Sequence, residues 1–120
     1  VLIGGAVRAH HAFDTEFDAN KPVTLRGVVT KVEWTNPHVW FYLNVKNDKT
    51  GETENWGFEM GGVRQLQQQG WNRNTIQIGS ELIVDGFLAR NGSRNVNSKN
   101  VTLTNGEKLG AASSQGQQLP

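Results

Sequence analysis

From Val23 to Val45 the chain reads VTLRGVVTKVEWTNPHVWFYLNV, with apolar, β-branched runs on either side of Thr35-Asn36-Pro37. That pattern predicts two antiparallel strands joined at a tight corner. Pro37 has no N–H to give to a ladder and a preset φ, so it belongs in the corner or at the first residue of the returning strand. The second strand, about 39 to 46, alternates cleanly. Val39, Phe41, Leu43 and Val45 lie on one side, and His38, Trp40, Tyr42, Asn44 and Lys46 on the other. The first strand, about 23 to 34, slips out of phase at Gly27. Leu25 is in step with Gly27 and Val29, but Val28, Thr30, Val32 and Trp34 make the better inward set afterwards. A glycine at a phase slip predicts a β-bulge, which bends a long strand so that it serves two sides of a small barrel.

Beyond this hairpin the pattern continues in short elements. A polar loop, 47 to 52, leads to a third strand, about 53 to 60, with Trp56, Phe58 and Met60 in phase. Gly61-Gly62 ends it. Residues 63 to 69 predict a short helix that buries Val63 and Leu66, and Gly70 suits the left-handed position after a helix. Gly79-Ser80 launches a fourth strand, about 82 to 90, apolar on both faces and so expected to be covered on both. Asn91-Gly92 is a hairpin signal. A fifth strand, about 98 to 104, turns its Val101 and Leu103 inward, and Asn105-Gly106 turns again. The order β-β-β-α-β-β, with one short helix between strands 3 and 4, predicts a mainly β chain folded as a five-stranded, OB-like Greek-key barrel. A small open β-sandwich with a decorating helix is the rival.

The same reading divides the chain into an apolar segment at 1–9, an N-terminal arm at 10–22, the barrel domain at 23–110 and a flexible tail at 111–120, where AASSQGQQLP shows no periodicity. The first nine residues, VLIGGAVRA, resemble the end of a secretory signal peptide, with Val7 and Ala9 suited to a cleavage site. The alternative is an ordinary N-terminal strand. If the segment is retained, Val1, Leu2 and Ile3 need cover and become a docking element.

Composition narrows the function. The chain has 12 basic and 11 acidic residues, a balance that offers no basic face to a phosphate backbone. Nucleic acid is therefore not expected as a partner. No run reaches the ~18 apolar residues of a transmembrane helix. With no cysteine, disulfides, thiolate metal sites and a cysteine nucleophile are excluded.

His10-His11-Ala12-Phe13, then 16 to 23 (EFDANKPV), and above all Val32-Glu33-Trp34-Thr35-Asn36-Pro37-His38-Val39 resemble a family of small secreted bacterial proteins, the domain of unknown function 6152. Gly70-Trp71-Asn72-Arg73-Asn74 and Val101-Thr102-Leu103 with Gly106 resemble its later motifs. The resemblance runs over residues 10 to 110. It implies export to the periplasm and an all-β, OB-like domain, with no established activity or cofactor.

Two kinds of site follow from the residues. Trp40 and Tyr42, on the outward face of the second strand, suit a protein contact surface or a stacking platform, since Trp and Tyr are favoured at interface hot spots. His10, His11 and His38 are the only imidazoles. If cleavage falls after Ala9, the His10 amine and ring would chelate a copper ion with His11 or His38 as a further ligand. The plainer reading puts His10 and His11 on a polar arm and lets His38 hydrogen-bond the corner it adjoins. Glu33, Glu54, Glu59 and Asp85 fall at outward strand positions, where solvated charges are usual. No constellation of catalytic residues stands out, so an enzyme is not expected. The sequence thus predicts a periplasmic or secreted, non-enzymatic binding or accessory module. Its contact surface would be Val1, Leu2, Ile3, Trp40 and Tyr42, and its partner a protein, in a larger and membrane-associated complex. A copper-binding protein is the alternative.

Overall fold

The computed structural model describes residue 13 and residues 15 to 113. Its elements are β1 (Phe17–Glu33), β2 (Trp40–Lys46), β3 (Thr53–Glu59), α1 (Val63–Gln68), β4 (Glu81–Ala89), β5 (Asn95–Thr102) and β6 (Lys108–Gly110). β1 pairs antiparallel with both β2 and β4, β2 with β3, and β4 with β5. A parallel pairing of β3 with β5 closes the ring. The chain is therefore an OB-like barrel, as the element order predicts. β6, an addition to the expected five strands, lies along β5. It is three residues long, too short to show a period of its own.

The core fills the ring. Val39, Phe41, Leu43 and Val45 all point into it, as their alternation predicts. The Phe41 ring stacks on Phe58 with centroids 5.1 Å apart. Leu66 of α1 and Trp71 join this core, and the Trp71 indole N–H donates to the Gly110 carbonyl at 2.8 Å. The helix ends as expected: Gly70 takes φ +99°. Trp71 N–H then bonds back to Leu66 C=O, and Gly70 N–H to Gln67 C=O. This pair of bonds satisfies carbonyls that the helix end would otherwise leave open. At the other end, Gly62 offers no side-chain cap. Asn36 supplies it from the corner after β1, its Oδ1 accepting from Val63 N–H at 3.0 Å. The Asn36-Pro37 peptide bond is cis.

β1 corrects the sequence reading in three ways. The phase slip is real, but it falls after Val29, where the β1–β2 register shifts between Val29 and Lys31. Val29 is buried while Val28 is 42% exposed. The inward set is thus Val23, Leu25, Gly27 and Val29, followed across the bulge by Val32 and Trp34. Gly27 stays in phase and is paired on both sides, with Val45 and with Leu82. A Cβ there would stand 2.4 Å from the Asn44 carbonyl oxygen, so close strand approach, rather than a bulge, requires the glycine. Finally, β1 starts at Phe17, inside the expected arm. Phe17 pairs with Ala89 and Pro22 with Phe87. Phe13, Phe17 and Ala89 form a second apolar cluster against Phe87, with the Phe13 ring edge-on to Phe87 at 5.7 Å. This cluster covers the outer face of β4, which the two-sided apolar pattern calls for.

The expected flexible tail also begins inside the packed domain. Ala111 is fully buried, its C=O accepting from Gly61 N–H and its N–H donating to Lys99 C=O. Small residues fit here because the backbone of Ala112 lies against Gly61, where a Cβ would meet its carbonyl at 2.2 Å. Low hydrophobicity disguised this seat. Residues 114 to 120 lie outside the described residues, as do Val1, Leu2, Ile3, His10 and His11. Among the described residues, no helix is long and apolar enough to cross a membrane.

Candidate binding surface

The outer face of β2 carries the aromatic pair picked out by alternation. The Trp40 and Tyr42 rings lie nearly parallel, 19° apart in plane with centroids at 6.3 Å. Gly57 on β3, directly opposite Tyr42, makes room for them. A Cβ on Gly57 would stand 3.2 Å from the Tyr42 ring, 3.3 Å from the Trp40 ring and 2.7 Å from Asn95 Oδ1. The rings therefore lie along the sheet. Neither belongs to an apolar cluster of the interior.

Register sets polar groups around the rings. Glu33 of β1, Trp40 of β2 and Glu59 of β3 are direct cross-strand partners, so their side chains share one face in one row. Asn97 of β5 continues the row beside Glu59. The Tyr42 hydroxyl donates to Glu33 Oε1 at 2.9 Å. Lys31 Nζ sits 3.3 Å from Glu33 Oε2 and 5.5 Å from the Tyr42 ring centroid. The Tyr42 hydrogen bond, then that of Lys31, hold the Glu33 carboxyl below its ordinary range. Burial, then the bond to Glu33, push the Tyr42 phenol up.

Glu59 corrects the expectation of a solvated charge. Its face is the outward one, but it is only 9% exposed, with Asn97 Nδ2 donating to its Oε1 at 3.1 Å. The parallel pairing of β3 with β5 puts that amide beside it, a relation between distant segments that alternation along one strand does not carry. Burial pushes the Glu59 carboxyl up. The charge of His38 and the Asn97 bond oppose this, and the Glu16 carboxylate adds to it. The Asn97 Oδ1 is buried and has no hydrogen-bond partner among the described residues.

His38 is half-buried at the corner, its Nδ1 3.0 Å from the Met60 carbonyl oxygen. The ring is thus bonded, but not, as expected, to the corner it adjoins: its partner is the carbonyl just past the end of β3, 22 positions on. Beside Trp40 a cleft of about 370 Å³ opens between β2 and the start of β1, lined by Glu16, Phe17, Trp40, Arg90 and Asn95 among others. Arg90, on its β4 side, is ion-paired with Asp18 at 3.7 Å.

Of the residues singled out from sequence, Trp40, Tyr42 and His38 thus lie on or beside one face. Val1, Leu2, Ile3, His10 and His11 are outside the described residues. Glu33, Gly57, Glu59 and Asn95 join the surface through cross-strand register. Among the described residues, no group of three or more His, Cys, Asp or Glu side chains could hold a metal ion.

A family of unknown function (DUF6152) matches residues 1–98. Among solved structures, the chain is similar to a mitochondrial single-stranded DNA binding protein from S. cerevisiae. The TM-score is 0.54 at 10% sequence identity, over 70% of this chain and 93% of that one. At this identity the likeness is one of fold, and it agrees with the ring of strand pairings. No curated protein matches the chain.

Proposed function

We propose that this chain, which belongs to the family of unknown function DUF6152, is a non-enzymatic binding module of the periplasm that docks on a protein partner as a subunit of a larger complex. One observation carries the reading. Trp40 and Tyr42 form a flat aromatic pair on the outside of a barrel whose interior is already filled. Two large rings left out of the core have no evident part in packing it. Rings of this kind are the usual anchors of protein interfaces. The near balance of charge speaks against a phosphate backbone as the occupant. Periplasmic location rests on the likeness of the first nine residues to a signal-peptide end. A photo-crosslinking amino acid in place of Trp40, in cells making the full-length protein, tests docking. One discrete heavier species is expected from position 40 and none from the outward Lys46 of the same strand. No adduct from position 40 at native expression levels would refute docking there.

A copper-binding reading has one observation in its favour. With Nδ1 of His38 turned to the Met60 carbonyl, Nε2 is left as the ligating nitrogen, the arrangement in which metal-bound imidazoles are usually held. Copper titrated into a chain that starts at His10 would bind tightly and stoichiometrically, and more weakly after His38→Ala. Absence of saturable binding refutes this reading.

A further inference from the structure

We infer that the group the partner seats over Trp40 is a cationic side chain, an arginine or lysine carried on an extended segment. The inference rests on the docking reading above and names the chemistry of its occupant.

Trp40 sits in a row of carboxylates. Glu33 and Glu59 are its direct neighbours across the sheet. Glu16 lies in the lining of the cleft beside it and close enough to Glu59 to raise that carboxyl. Within the lining, Arg90 already has Asp18 as its counter-charge. Neither Glu16 nor Glu59 forms an ion pair among the described residues. The cleft therefore presents an aromatic ring with the Glu16 carboxylate, which has no ion pair among the described residues, in its lining. A cation over an indole face is attracted by the ring quadrupole, and the attraction grows as water is excluded.

The chain also holds an internal example of the occupied arrangement, next along β2. Over Tyr42 the cation is present: Lys31 Nζ lies above the ring and bridges to Glu33. Around Tyr42 the ring, the carboxylate and the ammonium are complete within one molecule. Around Trp40 the ring and the Glu16 carboxylate are there, and the cation is the part a partner would bring. The volume of about 370 Å³ is ample for one arginine side chain and the backbone on either side of it. Asn95 adds an amide that can meet an extended backbone. The same carboxylate would repel a phosphate chain, which argues against nucleotide bases as the stacked group.

The test uses the full-length protein and four probes: a Gly-Arg-Gly-Arg-Gly peptide, the same peptide with citrulline for arginine, chitotetraose and oligothymidylate. Binding is read from the Trp40 indole N–H signal by NMR, assigned by its loss in Trp40→Phe. The arginine peptide should shift that signal saturably, and the citrulline peptide should bind about tenfold more weakly or not at all. Trp40→Leu should abolish binding. Glu16→Gln should weaken it about threefold, Lys46→Gln should leave it unchanged, and added salt should weaken it. Equal binding of the arginine and citrulline peptides overturns the inference, as does preferential binding of chitotetraose or oligothymidylate, or insensitivity to Trp40→Leu. The two readings fail separately. A crosslinked adduct from position 40 together with equal arginine and citrulline binding leaves docking standing and removes the cation. Arginine binding without any adduct in cells does the reverse.

Discussion

Replacing Asn36 with alanine should destabilise the barrel although Asn36 is itself exposed. Its side chain reaches across 27 positions in sequence to accept from Val63 N–H, one of the donors that a helix start leaves without an intrahelical partner. Nothing local replaces it. Gly62, at the cap position, has no side chain, and α1 has no acidic residue in its first turn. A side chain at position 62 would have to displace the Gln65 amide, since its Cβ would stand 2.7 Å from Gln65 Oε1 and 3.1 Å from the Pro37 carbonyl oxygen. Loss of a capping oxygen costs typically about 1 kcal/mol. For a chain of this length that lowers Tm by about 4 °C. Because the side chain is at the surface, no cavity adds to the cost. Chemical denaturation of wild type, Asn36→Ala and Asn36→Asp separates the cap from the rest of the residue, since aspartate keeps an acceptor oxygen. The expected order places Asp near wild type and Ala well below both, with unchanged m-values. If Asp falls as far as Ala, or if Ala stays within about 0.5 kcal/mol of wild type, the remote-cap account is wrong.

Three further outcomes are expected. Glu59→Gln keeps an acceptor for Asn97 and removes a carboxyl that burial holds above its ordinary value of 4.5. The folded wild type therefore retains a proton that the unfolded chain has lost. Its stability is full below the unfolded value and falls as pH rises through the raised folded one. Denaturation midpoints from pH 4 to pH 8 should fall for wild type and stay flatter for Glu59→Gln, and parallel curves would refute the assignment. Trp34→Ala should destabilise more than Trp40→Ala, because Trp34 packs on the interior cluster and Trp40 does not. A loss near the lower end of about 3–5 kcal/mol is expected for Trp34, and matching midpoints for the two variants would count against it. Gly27→Ala forces a methyl toward the Asn44 carbonyl. It should cost at least about 1–3 kcal/mol by overpacking, and a neutral result would mean that β1 and β2 separate there without penalty.

What the sequence discloses depends on how far apart the deciding partners are. β2 is legible because its two faces meet such different surroundings that alternation alone assigns Phe41 inward and Trp40 outward. The helix is legible through Gly70, whose role is settled within one turn. The slip in β1 is visible but misplaced. Glycine at 27 suggests a bulge, whereas the residue that takes up the extra length is Thr30, and Gly27 answers to the backbone of a different strand. Glu59 looks like any outward glutamate until β5 arrives beside it from 38 residues on. Ala111 hides for a related reason: its burial depends on Gly61 and Lys99, not on its own hydrophobicity. In the candidate surface, the aromatic pair is legible and its acidic frame is not, because the frame exists only in cross-strand register.

The closure of the barrel has a consequence for how the molecule breathes. Every other seam of the ring is an antiparallel ladder, while β3 and β5 meet in parallel over Gly57↔Asn95, Phe58↔Val96 and Glu59↔Asn97. Parallel pairing is slightly weaker per residue, and this seam is also the shortest in the ring. It is the natural line along which the ring would part in a partial unfolding event. Trp40 and Asn95, at the cleft, stand on opposite banks of that line. A ligand that grips both would act as a clasp. It would slow amide exchange at Phe58 and Val96 without touching either, so occupancy of the outer surface would be reported from inside the wall.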